Sequence, residues 1–80
     1  MNIGEAIGNR ILDLCNSRKI SLNKLSTMCG ITQSTLNNIV SGISKNPTVS
    51  TIKKVCDGLN ISLSDFFDTD IFRNLDQEVR

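Results

Sequence analysis

The chain has 80 residues, of which 39% are hydrophobic, and its formal net charge is +1. Eighty residues form one domain at most, and apolar residues recur along the whole chain, which excludes a wholly disordered protein. No segment is long and apolar enough to span a membrane, and the first residues lack the parts of a signal peptide, so we expect a cytoplasmic protein.

The apolar residues recur at helical spacing and no segment alternates as a strand does, which predicts an all-α fold, a compact bundle of five helices. The first helix extends from about Ile3 to Arg18, and Gly8 within it either permits a close helix approach or is simply tolerated. The second begins after the N-cap Ser21 and ends at Gly30, which we expect in the left-handed conformation. The predicted buried residues of these two helices are Ile3, Ile7, Ile11, Leu14, Cys15, Leu22, Leu25, Met28 and Cys29.

Capping residues also mark the remaining helices. The third helix follows the N-cap Thr32 and stops at Gly42, and the fourth follows Thr48 and ends at Asn60. Ser62 begins a capping box for the fifth. The predicted buried residues of these three helices are Leu36, Ile39, Val40, Val49, Ile52, Val55, Cys56, Leu59, Leu63, Phe66 and Phe67.

The domain is predicted to comprise residues 1–69, followed by a short segment, 70–80. That segment forms either a tail or one more short helix, because its apolar residues are Ile71, Phe72, Leu75 and Val79. They either close the core or, exposed at the edge of so small a domain, form a contact with a partner.

The second and third helices, joined by a tight turn, predict a helix-turn-helix motif over about residues 21–41. The turn requires a positive φ, which Gly30 adopts without a Cβ penalty, and Ser26 is small enough to lie where the helices cross. The outer face of the third helix carries only uncharged polar residues, namely Gln33, Ser34, Thr35, Asn37, Asn38 and Ser41. Amides and hydroxyls hydrogen-bond to base edges in the major groove, so this face favours DNA recognition. The alternative is a merely polar surface helix.

The near-neutral total charge conceals three unlike segments. Residues 1–13 sum to −1, residues 14–56 carry six basic residues and no acid, and residues 57–80 sum to −4. A basic middle segment suits a polyanionic partner, although chance asymmetry on a solvated surface would give the same sums.

The cysteines and the missing residue types exclude other classes. Cys15, Cys29 and Cys56 are an odd number inside apolar patterns, which argues against a disulfide framework and predicts small core residues. The sequence has no histidine and no paired-cysteine spacing, so we expect no metal site. It also lacks a glycine-rich phosphate loop, and we expect neither an enzyme nor a cofactor.

The stretch ISLNKLSTMCGITQSTLNNI at residues 20–39 resembles the Cro/lambda-repressor-like helix-turn-helix proteins, also called the XRE family. The resemblance covers about Ile3 to Phe67 and includes Ser41-Gly42, Asn46-Pro47-Thr48 and Leu59-Asn60-Ile61-Ser62. It implies a five-helix domain that binds double-stranded operator DNA, usually as a homodimer on a palindromic site. A transcriptional regulator, and specifically a repressor, is therefore the expected function.

The resemblance also implies which residues contact DNA. Carried over by position, the base contacts fall on Gln33, Ser34, Asn37 and Asn38. Free amides at a helix N-terminus suit anions, and phosphate contacts are expected at Asn23, Lys24, Thr32, Thr35, Ser41, Lys45, Asn46 and Thr48.

Two positions depart from the family pattern. Leu22 stands where many relatives have a glutamine that either contacts the DNA backbone or supports a residue of the recognition helix, and either Asn23 or Lys24 would substitute for it. Val40 stands where many relatives have a glutamate that pairs with an arginine of the first helix. Arg10 is then left with Asp13, an acid of the C-terminal segment, or solvent.

A second hypothesis keeps the fold but changes the class of function. The chain would be a protein-interaction module, such as the antitoxin of a toxin–antitoxin pair, with a dimer or partner surface on the acidic C-terminal segment. Salt distinguishes the two hypotheses, because DNA binding weakens steeply with salt and partner binding through the C-terminal segment need not.

Overall fold

The computed structural model describes residues 1–79, and the predicted all-α fold of five helices is confirmed within them. The helices are α1 (Ile3–Arg18), α2 (Leu22–Cys29), α3 (Gln33–Val40), α4 (Val49–Leu59) and α5 (Leu63–Phe67). A single 3-10 turn follows at Asp70–Phe72. Within residues 1–79 no helix is both long and apolar enough to cross a membrane.

Side-chain caps define where the helices begin. The side chain of Asn2 accepts the Glu5 N–H at 2.8 Å, and the Glu5 carboxylate accepts the Asn2 N–H at 3.3 Å, a capping box that the sequence analysis did not anticipate. The other four helices have the predicted caps, in which a hydroxyl accepts the N–H three residues later, at Ser21, Thr32, Thr48 and Ser62. Each cap satisfies a donor that the helix itself cannot.

Left-handed residues end three of the helices. Gly30 has φ 67° and Asn60 has φ 57°, as predicted, and Lys19 has φ 57° at the end of α1. The N–H groups of these residues bond back to carbonyls of the last turn, which lets the chain reverse direction within two or three residues.

One hydrophobic core lies between the helices. Its buried members are Ile7, Ile11, Leu14, Cys15, Leu25, Cys29, Leu36, Ile39, Ile52, Val55, Cys56, Leu59 and Phe66. The three cysteines are free and buried, as predicted. Burial raises the pKa of the Cys29 thiol to about 11 and also raises the pKa of Cys15 and of Cys56.

Three residues predicted to be buried are exposed instead. Met28 is 38% exposed because the core face of α2 is centred on Leu25, Ser26 and Cys29, and Met28 lies on the far side of Leu25 from the other two. Val49 is 72% exposed because it begins α4, ahead of the first buried residue of that helix. Phe67 is 37% exposed because successive helical residues point about 100° apart, and Phe66 takes the core position.

Within residues 70–79 the C-terminal segment contains the 3-10 turn and no α-helix. The Asp76 N–H donates to the Met1 carbonyl at 3.0 Å, and Phe72 packs against the core, so the segment lies along α1. Arg73 pairs with Asp70 at 2.7 Å and with Asp68 at 2.6 Å. Of the predicted segment 70–80, position 80 lies outside the described residues.

Arg10 forms no ion pair with Asp13 or with an acidic side chain of residues 57–79. Its Nε donates to the Phe66 carbonyl at 2.8 Å, and its Nη2 donates to the Asp65 carbonyl at 2.9 Å. Two main-chain carbonyl oxygens of α5 therefore accept the hydrogen bonds of Arg10. The family pattern would assign them to a glutamate at the position of Val40.

Candidate nucleic-acid interface

The turn between α2 and α3 has the geometry that the motif requires. The N–H groups of Gly30 and Ile31 both bond to the Ser26 carbonyl, the latter at 3.1 Å. Ser26 is buried, and its hydroxyl donates to the Asn23 carbonyl at 2.6 Å, so this buried hydroxyl has a hydrogen-bond partner. The two helices and this turn present α3 at the surface of the domain.

The α3 helix divides into an apolar face and a polar face. Leu36 and Ile39 are buried against the core. At 100° per residue, five of the exposed residues fall within an arc of roughly 140°, and the exposed Thr35 lies about 60° beyond it. That arc contains Gln33, Ser34, Asn37, Asn38 and, at the C-cap, Ser41, and all five are exposed.

The four residues expected to contact bases are therefore brought together on one face. Among residues 1–79, the side chains of these four make no hydrogen bond to another residue. Their amides and hydroxyls are thus available to a partner, and the major groove is wide enough to admit an α-helix that carries such groups.

Two threonines fix the start of α3. The Thr32 hydroxyl accepts the Thr35 N–H at 3.2 Å, and the two hydroxyl oxygens are 2.8 Å apart. Both residues are exposed. The N–H groups of Gln33 and Ser34 have no partner within the helix because they belong to its first turn, so this end of α3 is suited to an anion.

The start of α4 repeats the same arrangement. The Thr48 hydroxyl accepts the Thr51 N–H at 3.1 Å, and the two hydroxyl oxygens are 3.0 Å apart. The sequence analysis did not name Thr51 as part of this cap. The pattern Thr-x-x-Thr, which occurs at 32–35 and again at 48–51, would have predicted it.

The loop between α3 and α4 carries two of the expected phosphate contacts, Lys45 and Asn46, both exposed. The Ser44 N–H donates to the Asn38 carbonyl at 2.9 Å, which ties the loop to the last turn of α3. This backbone bond has no signature in the sequence, since any residue except proline could form it.

The start of α2 supplies the remaining expected contacts. Asn23 and Lys24 are exposed, and the Ser21 hydroxyl caps the helix by accepting the Lys24 N–H at 3.0 Å. Leu22 is partly buried and packs against the core, which accommodates an apolar side chain at this position.

Most of the basic side chains of residues 14–56 form no ion pair within the described part of the chain. Of the six cations, Lys53 is paired with Asp57, and this hydrogen bond raises the pKa of Lys53. The other five are Arg18, Lys19, Lys24, Lys45 and Lys54, and none of them forms an ion pair within residues 1–79. Within the same range no group of residues is arranged to hold a metal ion and no cavity is formed.

The comparison with protein families finds one matching family model, HTH_3, described as "Helix-turn-helix", over residues 11–66. The HTH-type transcriptional regulator SlrR of Bacillus subtilis (strain 168) is 37% identical over 62 residues, which cover 76% of this chain and 41% of that protein. The chain thus spans well under half the length of this curated relative.

Two solved structures are similar to the whole fold. The crystal structure of the prophage Lp1 protein 11 has a TM-score of 0.81 and 37% identity, and the match covers 94% of this chain and 100% of that chain. The HTH_3 family transcriptional regulator from Vibrio cholerae has a TM-score of 0.77 and 34% identity, covering 85% of this chain and 38% of that chain.

Proposed function

Because this chain belongs to the HTH_3 (XRE) helix-turn-helix family, we propose that it is a sequence-specific DNA-binding transcriptional regulator that inserts α3 into the major groove of an operator. The observation that carries the proposal is the exposed face of amides and hydroxyls on α3. Asparagine and glutamine amides pair with adenine in two places, and serine or threonine hydroxyls serve several bases. Gln33, Ser34, Asn37 and Asn38 are the proposed base contacts.

The proposed phosphate contacts lie on the first turn of α2, on α3 and its caps, and in the loop that leads to the N-cap of α4. They are Asn23, Lys24, Thr32, Thr35, Ser41, Lys45, Asn46 and Thr48. Support comes from the exposure of all eight and from the two threonine-capped helix starts, whose free N–H groups favour anions. Phosphate contacts would fix the orientation of α3 on the duplex, and the base contacts would select the sequence.

We propose repression as the mode of regulation, because a protein that occupies an operator excludes other proteins from it without any further activity. A homodimer on a palindromic site is the proposed assembly. Two copies related by a two-fold axis would place their α3 helices in successive major grooves, about 34–36 Å apart.

The alternative, a protein-interaction module such as an antitoxin, places its partner surface on the acidic C-terminal segment. Phe72 of that segment packs against the core of the same chain. This contact favours the interpretation that Phe72 closes the core rather than binding a partner. Val79 is the exposed apolar residue that remains for a partner.

Selection of binding sites from a pool of random duplexes, at moderate salt and with the purified chain, tests the proposal. We expect an enriched sequence made of two inverted half-sites about 10 base pairs apart, centre to centre. A chain that retains duplexes without enriching any sequence would disprove sequence-specific regulation, and a single enriched half-site would disprove the dimer.

A further inference from the structure

Two glycines of α1, one turn apart, lie directly against the backbone of the proposed DNA-binding surface. A Cβ atom at Gly8 would lie 2.7 Å from the Ile39 carbonyl oxygen and 3.1 Å from the Val40 Cα, at the end of α3. A Cβ atom at Gly4 would lie 3.0 Å from the Lys45 carbonyl carbon and 3.1 Å from its Cα, and closer still to its carbonyl oxygen. Real Cβ atoms are essentially never found so close to backbone atoms, so both contacts depend on the missing side chain.

The glycine at position 8 therefore contacts the helix that carries the base contacts, and the glycine at position 4 contacts the loop that carries phosphate contacts. The loop is also held by the hydrogen bond from the Ser44 N–H to the Asn38 carbonyl. Two backbone contacts, at Ser44 and at Lys45, thus fix the position of Lys45 and Asn46 relative to α3.

We propose that Gly4 is a positioning residue for DNA binding: its bare backbone seats the Lys45 carbonyl and so holds Lys45 and Asn46 at the distance from α3 that a phosphate contact requires. This inference rests on the proposed function. Gly4 itself touches no DNA in this arrangement and acts through the loop. A methyl group at this position has to push the Lys45 backbone away from α1. The three Lys45 atoms nearest to it all belong to the backbone, so no flexible side chain can move aside.

The test compares Gly4→Ala with Gly58→Ala for binding to a random-sequence duplex over a range of salt concentrations. A Cβ at Gly58 would lie 2.5 Å from the Cys29 Sγ and 3.0 Å from the Met28 carbonyl oxygen, so the control crowds a helix contact that does not include the loop. We expect Gly4→Ala to reduce the slope of log K against log salt by about 1, the value for one lost phosphate contact. We expect Gly58→Ala to lower stability and leave the slope unchanged.

The double variant Gly4→Ala/Lys45→Ala separates positioning from a general structural effect. If Gly4 acts through Lys45, the slope of the double variant equals that of Lys45→Ala. An additional loss of slope in the double variant, or an unchanged slope in Gly4→Ala, overturns the inference.

The wild-type chain decides the question if Gly4→Ala does not fold. The backbone amide resonance of Gly4 should shift when saturating duplex is added to the wild-type chain and should shift less when it is added to Lys45→Ala. Equal shifts in both proteins overturn the inference. A wild-type chain that binds no duplex at low salt overturns the proposed function itself, which is a separate result.

Discussion

The guanidinium group of Arg10 on α1 lies over the aromatic ring of Phe66 on α5, with 5.9 Å between its Cζ atom and the ring centroid. Its hydrogen bonds to the Phe66 and Asp65 carbonyls satisfy oxygens at the end of a five-residue helix that has few internal hydrogen bonds. A cation is also favourable at a helix C-terminus. Arg10 therefore attaches α5 to α1 through both charge and packing.

We predict that Arg10→Met destabilises the chain by about 1–3 kcal/mol, the usual cost of removing the partner of a hydrogen-bonded polar group. Methionine keeps much of the apolar stem and loses the donors. Urea unfolding followed by circular dichroism measures the change. Arg18→Met, at the exposed end of α1, is the control and should cost less than about 1 kcal/mol. Equal losses in the two variants would show that the contacts to α5 contribute nothing.

Arg10 also illustrates which contacts a sequence does not reveal. With Val40 in place of a glutamate, the sequence predicted another acidic side chain or solvent as the partner of Arg10, because a sequence distinguishes residues only by their side chains. The actual acceptors are main-chain carbonyls, which every residue has. The same holds for the Ser44 N–H bond to the Asn38 carbonyl and for Gly4 against Lys45, because the position of the loop is set by backbone atoms that every residue has.

The local features, by contrast, could be predicted. The caps at Ser21 and Thr32 and the turn at Gly30 depend on residues within four positions of one another, and the polar face of α3 follows from helical periodicity. Burial at the ends of helices was predicted less well, since Val49 precedes the first buried residue of α4 and Phe66, rather than Phe67, takes the core position of α5. The DNA contacts themselves stay predictions.

Lys19 occupies a conformation that costs energy for any residue with a Cβ atom. Its φ of 57° is close to the φ of 67° at Gly30, which ends α2 in the same way. Left-handed backbone costs an L-residue roughly 1–2 kcal/mol. We predict that Lys19→Gly raises the free energy of unfolding by up to about 1 kcal/mol, the gain being limited by the greater freedom of glycine in the unfolded chain.

Gly30→Ala is the matched opposite substitution. No atom lies within 4 Å of a Cβ at Gly30, so the cost is conformational alone and should be about 1 kcal/mol. Thermal unfolding of both variants checks the pair. If Lys19→Gly were destabilising while Gly30→Ala lost stability as expected, the Lys19 side chain would have to make a stabilising contact of its own.

Stability should fall at alkaline pH because of the buried thiols. Burial is the main reason that the pKa of Cys29 is about 11 in the folded chain, against an ordinary value of 9.0. The folded state therefore retains this proton while the unfolded state releases it. The stabilisation is fully present below pH 9 and is lost as the pH rises towards 11.

Urea midpoints measured across this pH range test the effect, with Cys29→Ala as the comparison. The variant is expected to be less stable at neutral pH because it leaves a small cavity, and to lose less stability between neutral and alkaline pH. The stability of the variant should still fall somewhat at alkaline pH, since the pKa is also raised for Cys15, Cys56 and Lys53. Identical pH profiles for the variant and the wild type would refute a role for the Cys29 thiol.

The last prediction separates base contacts from phosphate contacts within the proposed interface. Asn38→Ala removes an exposed amide and leaves the carbonyl that accepts the Ser44 N–H, so the loop stays attached to α3. Alanine is also the better helix former, and the variant should be at least as stable as the wild type. We expect operator binding to weaken by about 1–3 kcal/mol and specificity to relax at one base position.

Lys45→Ala should behave differently, because a phosphate contact is independent of sequence. We expect it to weaken binding to all duplexes and to reduce the salt slope by about 1. Lys53→Ala is the matched control, since the Lys53 charge is already paired with Asp57, and its effect on the slope should be smaller. Binding to operator variants and to a random duplex, measured in parallel over a range of salt, distinguishes the cases. If Asn38→Ala weakened operator and random duplexes equally, Asn38 would contact the DNA backbone rather than a base.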